Sequence, residues 1–315
     1  MKKQRFHTMY SLILAGCLLL AGPLLLAGCG NNPASRKEAA KPIDKEAYEQ
    51  LISSGPTATD AEIQANQWAS SVKEAGYIRI GGSLTSQLFG LYDEADEYTR
   101  GFDAGISQML TRYIFGDASK YELIQVEASN RESVLENGEA DMVCNTYSIT
   151  DSRKETVSFA GPYYASRQGI LLKADNKDIN GVKDLAGKTV STQSGSTGPE
   201  ILFKYAPDAT VMEYGTDAEA RLALEQGVVD AYVTDYNILL NAMIESPDLY
   251  RLAKDQFGPE DDYGIGLPKD SDGVAFVNSF LKTITEDGTW EKLWQVCIGD
   301  RTGVTEIPPL PEIGE

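Results

Sequence analysis

Two seven-residue segments constrain the fold of this chain more than any other part of it. Leu135-Glu136-Asn137-Gly138-Glu139-Ala140-Asp141 is answered by Leu224-Glu225-Gln226-Gly227-Val228-Val229-Asp230. In each, a helical pattern ends, glycine takes the left-handed cap, and aspartate opens a short apolar run that reads as a buried strand. Each run then delivers polar side chains at its far end. These are Thr146, Ser148 and Arg153 in the first case, and Thr234 and Asp235 in the second. Repetition of this unit implies two lobes built alike, each with a site where a strand stops. Ligands of open α/β sheets bind at such strand ends.

The remaining patterns fit that plan. Strand and helix signals alternate as far as Trp294, the mark of an α/β protein. Thr59-Asp60-Ala61-Glu62 has capping-box spacing, and Ile63, Ala65, Ala69 and Val72 follow on a helical period up to Gly76. Gly101-Phe102-Asp103 leads into an amphipathic helix carrying Ile106, Met109, Leu110 and Tyr113. Two extended segments, Ser166 to Leu172 and Pro259 to Leu267, are read as the links between lobes. Lobe 1 is then expected at 60–167 plus 262–304, with lobe 2 inserted at 168–261. Residues 305–315 are expected to form an exposed tail, because Ile307-Pro308-Pro309-Leu310-Pro311 cannot continue a helix.

The N-terminus indicates where the protein works. Lys2, Lys3 and Arg5 precede an apolar run from Leu12 to Leu26, followed by Leu26-Ala27-Gly28-Cys29. A basic start, an apolar core and a small-residue cleavage site make an export signal at 1–28. Cys29 after small residues resembles the bacterial lipoprotein cleavage motif, in which the cysteine is lipidated. Leu14-Ala15-Gly16-Cys17 offers the same pattern but would leave Leu18 to Leu26, a greasy segment, on the mature chain. Two acyl chains on one residue suffice for stable anchoring. Residues 29–59, rich in Ala, Lys, Glu, Pro and Ser, read as a flexible tether to an extracytoplasmic protein.

Composition removes whole classes of function. The chain carries 28 basic and 47 acidic residues, a formal charge of −19. Loss of the leader takes three bases and no acid, moving this to −22, which argues against nucleic acid as a partner. The single histidine, His7, lies in the leader. The mature chain therefore lacks Ser-His-Asp and Cys-His nucleophile systems and the common histidine-containing zinc sites. Cys144 and Cys297 remain after processing, with no metal-binding spacing, and can be either a disulfide or two buried thiols. No metal or cofactor is implied.

Asn145 to Arg153 is the richest local signal. Several hydroxyls and one guanidinium crowd the turn between a strand and a helix. Hydroxyls and backbone N–H groups can bind an anion there, and arginine can clamp a carboxylate with two parallel bonds. The plainer alternative is that Thr150 or Asp151 caps the helix while Arg153 is solvated.

From about Ala75 to Gly299 the chain resembles the family 3 extracellular solute-binding proteins, which supply polar amino acids to ABC importers, with the glutamate-binding branch nearest. The resemblance rests on the order and spacing of Gly101-Phe102-Asp103, Ser129-Asn130-Arg131, Gly138 to Asp141, Ile149-Thr150-Asp151-Ser152-Arg153, Phe159-Ala160-Gly161-Pro162-Tyr163-Tyr164, Leu185-Ala186-Gly187-Lys188, Ser194-Gly195-Ser196-Thr197 and Thr234-Asp235. It implies a two-lobed, type II periplasmic-binding-protein-like fold with a two-strand hinge. It also implies that Arg153, with Thr146 and Ser148, takes the ligand α-carboxylate, and that Asp235 takes the α-ammonium from the opposite lobe. Gln193, Ser196 and Thr197 fall on the loop that closes over the carboxylate. Arg131 matches an arginine that reaches the side chain in binders of acidic amino acids. Glutamate is the expected ligand, then aspartate or glutamine. Ser83 to Tyr92 should supply the remaining wall, with Phe89 or Tyr92 as an apolar face, although this loop departs from the family's usual acid or aromatic.

The expected partners are a polar amino acid and an importer permease, for a monomer held at the membrane by Cys29. Two other readings compete. The same fold hosts a dehydratase, for which Glu127 or Asp93 would be the acid, and a sensor module would present ligand state to a separate receptor.

Overall fold

The computed structural model describes residues 41–310 and 312–314. The leader and Cys29 lie outside the described residues. Helix α1 (Lys45–Ser54) opens the described chain, with Asp44 as its cap: Ala47 N donates to Asp44 Oδ1 at 3.0 Å. Tyr48 and Ile52, one turn apart, are buried in the core of lobe 1, and Leu51 packs beside them. The Tyr48 hydroxyl reaches Gln108 Oε1 at 3.0 Å. The expectation of a tether through residue 59 fails over this helix. Its apolar residues are few, but helical spacing puts them on one face.

Thr59 and Glu62 form the expected capping box, yet the helix they start is short. Helix α2 (Asp60–Gln64) stops, and Asn66 caps a new helix, α3 (Gln67–Ala75), accepting from Ala69 N at 2.9 Å. Asn66 Nδ2 also donates to Asp272 O at 2.8 Å, so a distant partner fixes the break.

Lobe 1 continues with β1 (Ile78–Gly82), β2 (Thr85–Ser86), β3 (Gly90–Asp93), β4 (Tyr98–Arg100), α4 (Phe102–Phe115), β5 (Tyr121–Gln125), α5 (Arg131–Glu136), β6 (Met142–Val143) and α6 (Asp151–Lys154). A long strand, β7 (Ser158–Lys173), then runs into lobe 2. There follow β8 (Thr189–Gln193), α7 (Gly198–Tyr205), β9 (Thr210–Tyr214), α8 (Asp217–Glu225), β10 (Ala231–Asp235), α9 (Tyr236–Glu245) and β11 (Tyr250–Leu252). Strand β12 (Phe257–Leu267) returns to α10 (Gly273–Glu286) and α11 (Thr289–Trp294).

Nine of these strands form one sheet in the order β5-β1-β6-β12-β7-β10-β8-β9, with β11 on β7, while β2, β3 and β4 form a separate antiparallel sheet. Strands β7 and β12 pair antiparallel from Phe257↔Gln168 to Leu267↔Ser158, with two register shifts, and are the two crossings. On either side the pairs are parallel: β1 with β5 and β6, and β8 with β9 and β10.

The two echo segments occupy equivalent places. Gly138 and Gly227 have φ of 64° and 72°, the left-handed cap. Asp141 Oδ2 accepts Arg79 N at 2.8 Å, and Asp230 Oδ2 accepts Thr189 N at 2.8 Å. Each aspartate thus fastens the new strand to its parallel neighbour.

Apolar burial follows the same division. Lobe 2 packs Ile170, Leu172, Val190, Leu202 and Val233 on one sheet face, and Leu171, Leu224, Tyr232 and Leu239 on the other. Leu240 of α9 instead belongs to the core of lobe 1. Cys144 and Cys297 are both free and buried. The tail is corrected as well: Ile307 and Ile313 pack on the lobe 1 core, and Gly314 N donates to Gly161 O at 2.9 Å. Gly303, at φ 74°, ends the last helix at Thr302 before the prolines are reached, and the isoleucines flanking them still find apolar surface.

Candidate functional site

Between the lobes, where β1, β5, β8 and β10 end, lies a cavity of about 230 Å³. Lobe 1 contributes Ser83, Thr85, Ser86, Phe89, Gln125, Glu127, Arg131, Thr146 and Ser148. Lobe 2 contributes Gln193, Ser196, Thr197, Thr216, Asp217, Arg221, Thr234, Asp235, Asn241 and Glu245. Every expected binding residue except Arg153 is on this wall. Tyr92 is exposed and away from it, and the half-buried Asp93 is away from it too, its carboxylate holding Lys45 Nζ at 2.5 Å.

The lobe 1 wall is set by the turn after β6. Thr146 adopts φ 41°, an unusual value for a β-branched residue. Asp103 stabilises it: Thr146 N donates to Asp103 Oδ2 at 2.7 Å, and Tyr163 OH to Oδ1 at 2.9 Å. Burial raises this carboxyl to about 7. The preceding Gly101 has φ 149°, and a Cβ there would lie 2.3 Å from Phe89 C. Gly101-Phe102-Asp103 is therefore a support for the binding turn, a role its spacing did not disclose.

The turn presents two carbonyls to a guanidinium. Arg131 Nη1 donates to Asn145 O at 3.0 Å and to Thr146 O at 3.1 Å. Arg131 is buried and has no carboxylate within ion-pair distance among the described residues. Burial, and then the neighbouring Arg153, lower its pKa to about 10. Both guanidiniums lie over the Tyr147 ring, at 4.4 Å and 5.1 Å. Arg153 stands behind the wall. Its Nη1 donates to Ser148 O and its Nη2 to Gly195 O, each at 2.8 Å, and its Nε is 3.2 Å from Glu132 Oε1. Thr150 caps α6, as the plainer alternative required, but Arg153 is buried and not solvated.

Asp235 ends β10 at the cap position of α9, yet its side chain makes no capping bond. Its carboxylate accepts instead from Gln168 Nε2 on β7 and from the Tyr263 hydroxyl on β12. Burial, with the nearby Asp261, holds Asp235 above the usual carboxylate range. Desolvation likewise raises Asp261, which accepts the Thr197 hydroxyl at 2.9 Å. A carboxyl poised this way favours a cation that can restore its charge.

The cleft is shut. Gln193 Nε2 donates across it to Glu127 Oε2 at 3.1 Å. Asn241 Oδ1 accepts Leu88 N at 2.9 Å, and its Nδ2 reaches Ser86 Oγ at 3.0 Å. Gly195 meets Ser129 backbone to backbone. Sequence reading missed Asn241, Asp217, Arg221 and Glu245. The spacing of Asp217 and Arg221 signals an ordinary i,i+4 helix pair, and nothing in it tells which way that pair faces.

The profile of the bacterial extracellular solute-binding proteins, family 3, matches residues 78–299. This chain belongs to that family. Among its relatives, the glutamine-binding protein of Geobacillus stearothermophilus is 39% identical over 201 residues, covering 64% of this chain and 76% of that one. The glutamate-binding protein GluB of Corynebacterium glutamicum is 30% identical over 243 residues, covering 74% and 82%. The solved L-cysteine receptor of Neisseria gonorrhoeae superposes with a TM-score of 0.71 at 26% identity, covering 76% and 97%. The family 3 fold accounts for the two lobes, the paired crossings and the cavity between them. As a family member the protein is an extracytoplasmic solute-binding protein, and not an enzyme.

Proposed function

We propose that the protein captures one polar α-amino acid, of the kind of glutamate, aspartate or glutamine, by closing its cleft and hands it to an ABC importer permease. The observation that carries this is a division of charge across one cavity. Lobe 1 holds Arg131 and Arg153 behind the Thr146–Ser148 turn, whereas lobe 2 brings Asp235. An α-amino acid has opposite charges on a single carbon, so it bridges the two sides only when the cleft is shut. Its α-carboxylate faces the arginine field and the hydroxyls of Ser148, Ser196 and Thr197, and its α-ammonium faces Asp235. Contacts that exist only in the closed state favour that state, and the differential affinity drives closure. Exclusion of water then strengthens each ion pair.

Calorimetry and thermal melting of the delipidated monomer against individual amino acids test the reading. Ligand at 100 times its dissociation constant should stabilise the protein by about 2.7 kcal/mol, a shift of several degrees. Absence of any response to every amino acid would sink it.

Anchoring through Cys29 completes the proposal, since a tethered receptor stays near its permease. Cys29→Ser should release the protein from membranes or leave it unprocessed, while Cys17→Ser should change nothing. A lipidated product beginning at Cys17 in the Cys29 variant would overturn this site.

A further inference from the structure

We propose that Glu127 reads the far end of the ligand, selecting a side chain that ends in N–H donors and turning away a carboxylate. This rests on the amino acid capture proposed above and narrows its ligand. The reason is the state of the charges on the cavity wall. Arg221 is already bracketed, with Nε 2.8 Å from Asp217 Oδ2 and Nη1 2.5 Å from Glu245 Oε2. Asp235 and the arginine field are taken by the ligand's own α-groups. Glu127 is what remains, and no cation lies within ion-pair distance of it among the described residues.

Its partners are amides only. Gln125 Nε2 donates to Glu127 Oε1 at 2.9 Å, and Gln193 Nε2 to Oε2 at 3.1 Å. The first amide cannot turn over without loss, because Gln125 Oε1 accepts Leu84 N at 2.6 Å. Gln193 Nε2 is shared with Gly215 O at 3.2 Å, which leaves Gln193 Oε1 as a further acceptor without a protein donor among the described residues. A carboxylate has about four acceptor positions, so Glu127 keeps capacity for a ligand N–H. A carboxamide or a guanidinium supplies such donors. A side-chain carboxylate would place like charge against like charge in a partly dry cavity whose two lining arginines are already engaged, Arg221 by Asp217 and Glu245 and Arg131 by the ligand α-carboxylate. The expectation of glutamate, drawn from the pairing of Arg131 with Arg153, changes accordingly: in the proposed capture both arginines face the α-carboxylate from one side of the cavity, and neither is left for a second carboxylate.

Glu127 also joins the lobes through Gln193, so the test must separate selection from latching. Titration calorimetry at pH 7 would compare glutamine, arginine and glutamate on the wild-type protein, on Glu127→Gln and on Glu127→Ala. Glutamine or arginine should bind wild type more tightly than glutamate, and the arm that binds best identifies the donor group. In both variants the preference over glutamate should narrow by about tenfold or more, chiefly because glutamate binds better. Wild type preferring glutamate, or a preference unmoved in either variant, overturns the proposal. Equal weakening of all three ligands assigns Glu127 to the latch and overturns it too. If wild type binds no amino acid at all, the capture reading falls and this inference with it, whereas the other adverse outcomes leave capture standing.

Discussion

Asp235→Asn should bind its amino acid roughly 30- to several-thousand-fold more weakly than wild type, the about 2–5 kcal/mol typical of truncating one side of a buried charge pair. The variant keeps the shape of the side chain and loses the counter-charge for the ligand ammonium together with one of the two acceptor oxygens that Gln168 and Tyr263 use, a loss Gln168 can offset by turning its unpartnered Oε1 toward the new amide. Its apo fold should survive, because Asp235 makes no capping bond to α9 that the change could remove. Melting curves would establish the fold, and calorimetry the affinity. Binding at wild-type strength would remove Asp235 from the mechanism.

The same carboxyl predicts a pH dependence of definite sign. Burial raises Asp235 above the ordinary range in the empty protein, and a bound ammonium lowers it again. Below the raised value, binding must expel a proton. Affinity therefore climbs as pH rises from the usual carboxylate range, by at most about tenfold per unit for one proton, and levels off above the raised value. Stability of the empty protein runs the other way. Asp103, raised to about 7, is a group whose stabilising contribution is complete at acid pH and is lost as pH climbs to that value. Asp235→Asn should flatten the affinity slope and leave the Asp103 part of the stability slope in place. An unchanged affinity slope in the variant would contradict this account.

Gly195→Ala should weaken binding by about 1–3 kcal/mol, or roughly five- to a hundredfold, beyond the about 1–2 kcal/mol that alanine at a left-handed φ costs the open and shut forms alike. Gly195 has φ 74°, and a Cβ there would lie 2.5 Å from Ser129 Cα and 2.8 Å from Ser129 N. Those atoms belong to the other lobe and are backbone, so neither can swing aside. The collision exists only when the cleft is shut. Small-angle scattering should then show reduced compaction on addition of ligand. Normal compaction with normal affinity would mean that the liganded state differs from the shut arrangement described above.

The sequence disclosed the scaffold better than the chemistry. Gly138 and Gly227, each followed by an aspartate, marked two equivalent strand starts because a left-handed cap and a strand-fastening carboxylate leave local signatures. Asp235 was found for the same reason, since it ends one of those strands. Helix α1 was missed because Tyr48, Leu51 and Ile52 stand among polar neighbours, and their burial depends on Gln108 and the rest of a distant core. The break at Asn66 was missed because Asp272, far along the chain, fixes it. Arg153 illustrates the limit most clearly. Residue type and order singled it out, but only packing could reveal that Ser148, Gly195 and Glu132 occupy its donors. Asn241 and Arg221 were invisible for want of any local pattern telling cleft from solvent.

Leu240 carries a consequence for the idle protein. Its side chain leaves lobe 2 and sits in the core of lobe 1, beside an Asn241 that bonds Leu88 and Ser86. Opening the cleft must return that leucine to water, so part of the closing force is built into the empty receptor. The ligand has to supply only the difference, which favours tight capture from dilute surroundings. Under the hand-over proposed above, the corresponding burden falls on the permease. It must tell a loaded receptor from an empty one that has closed by itself, and at high receptor density the empty closed form would compete for the same docking place.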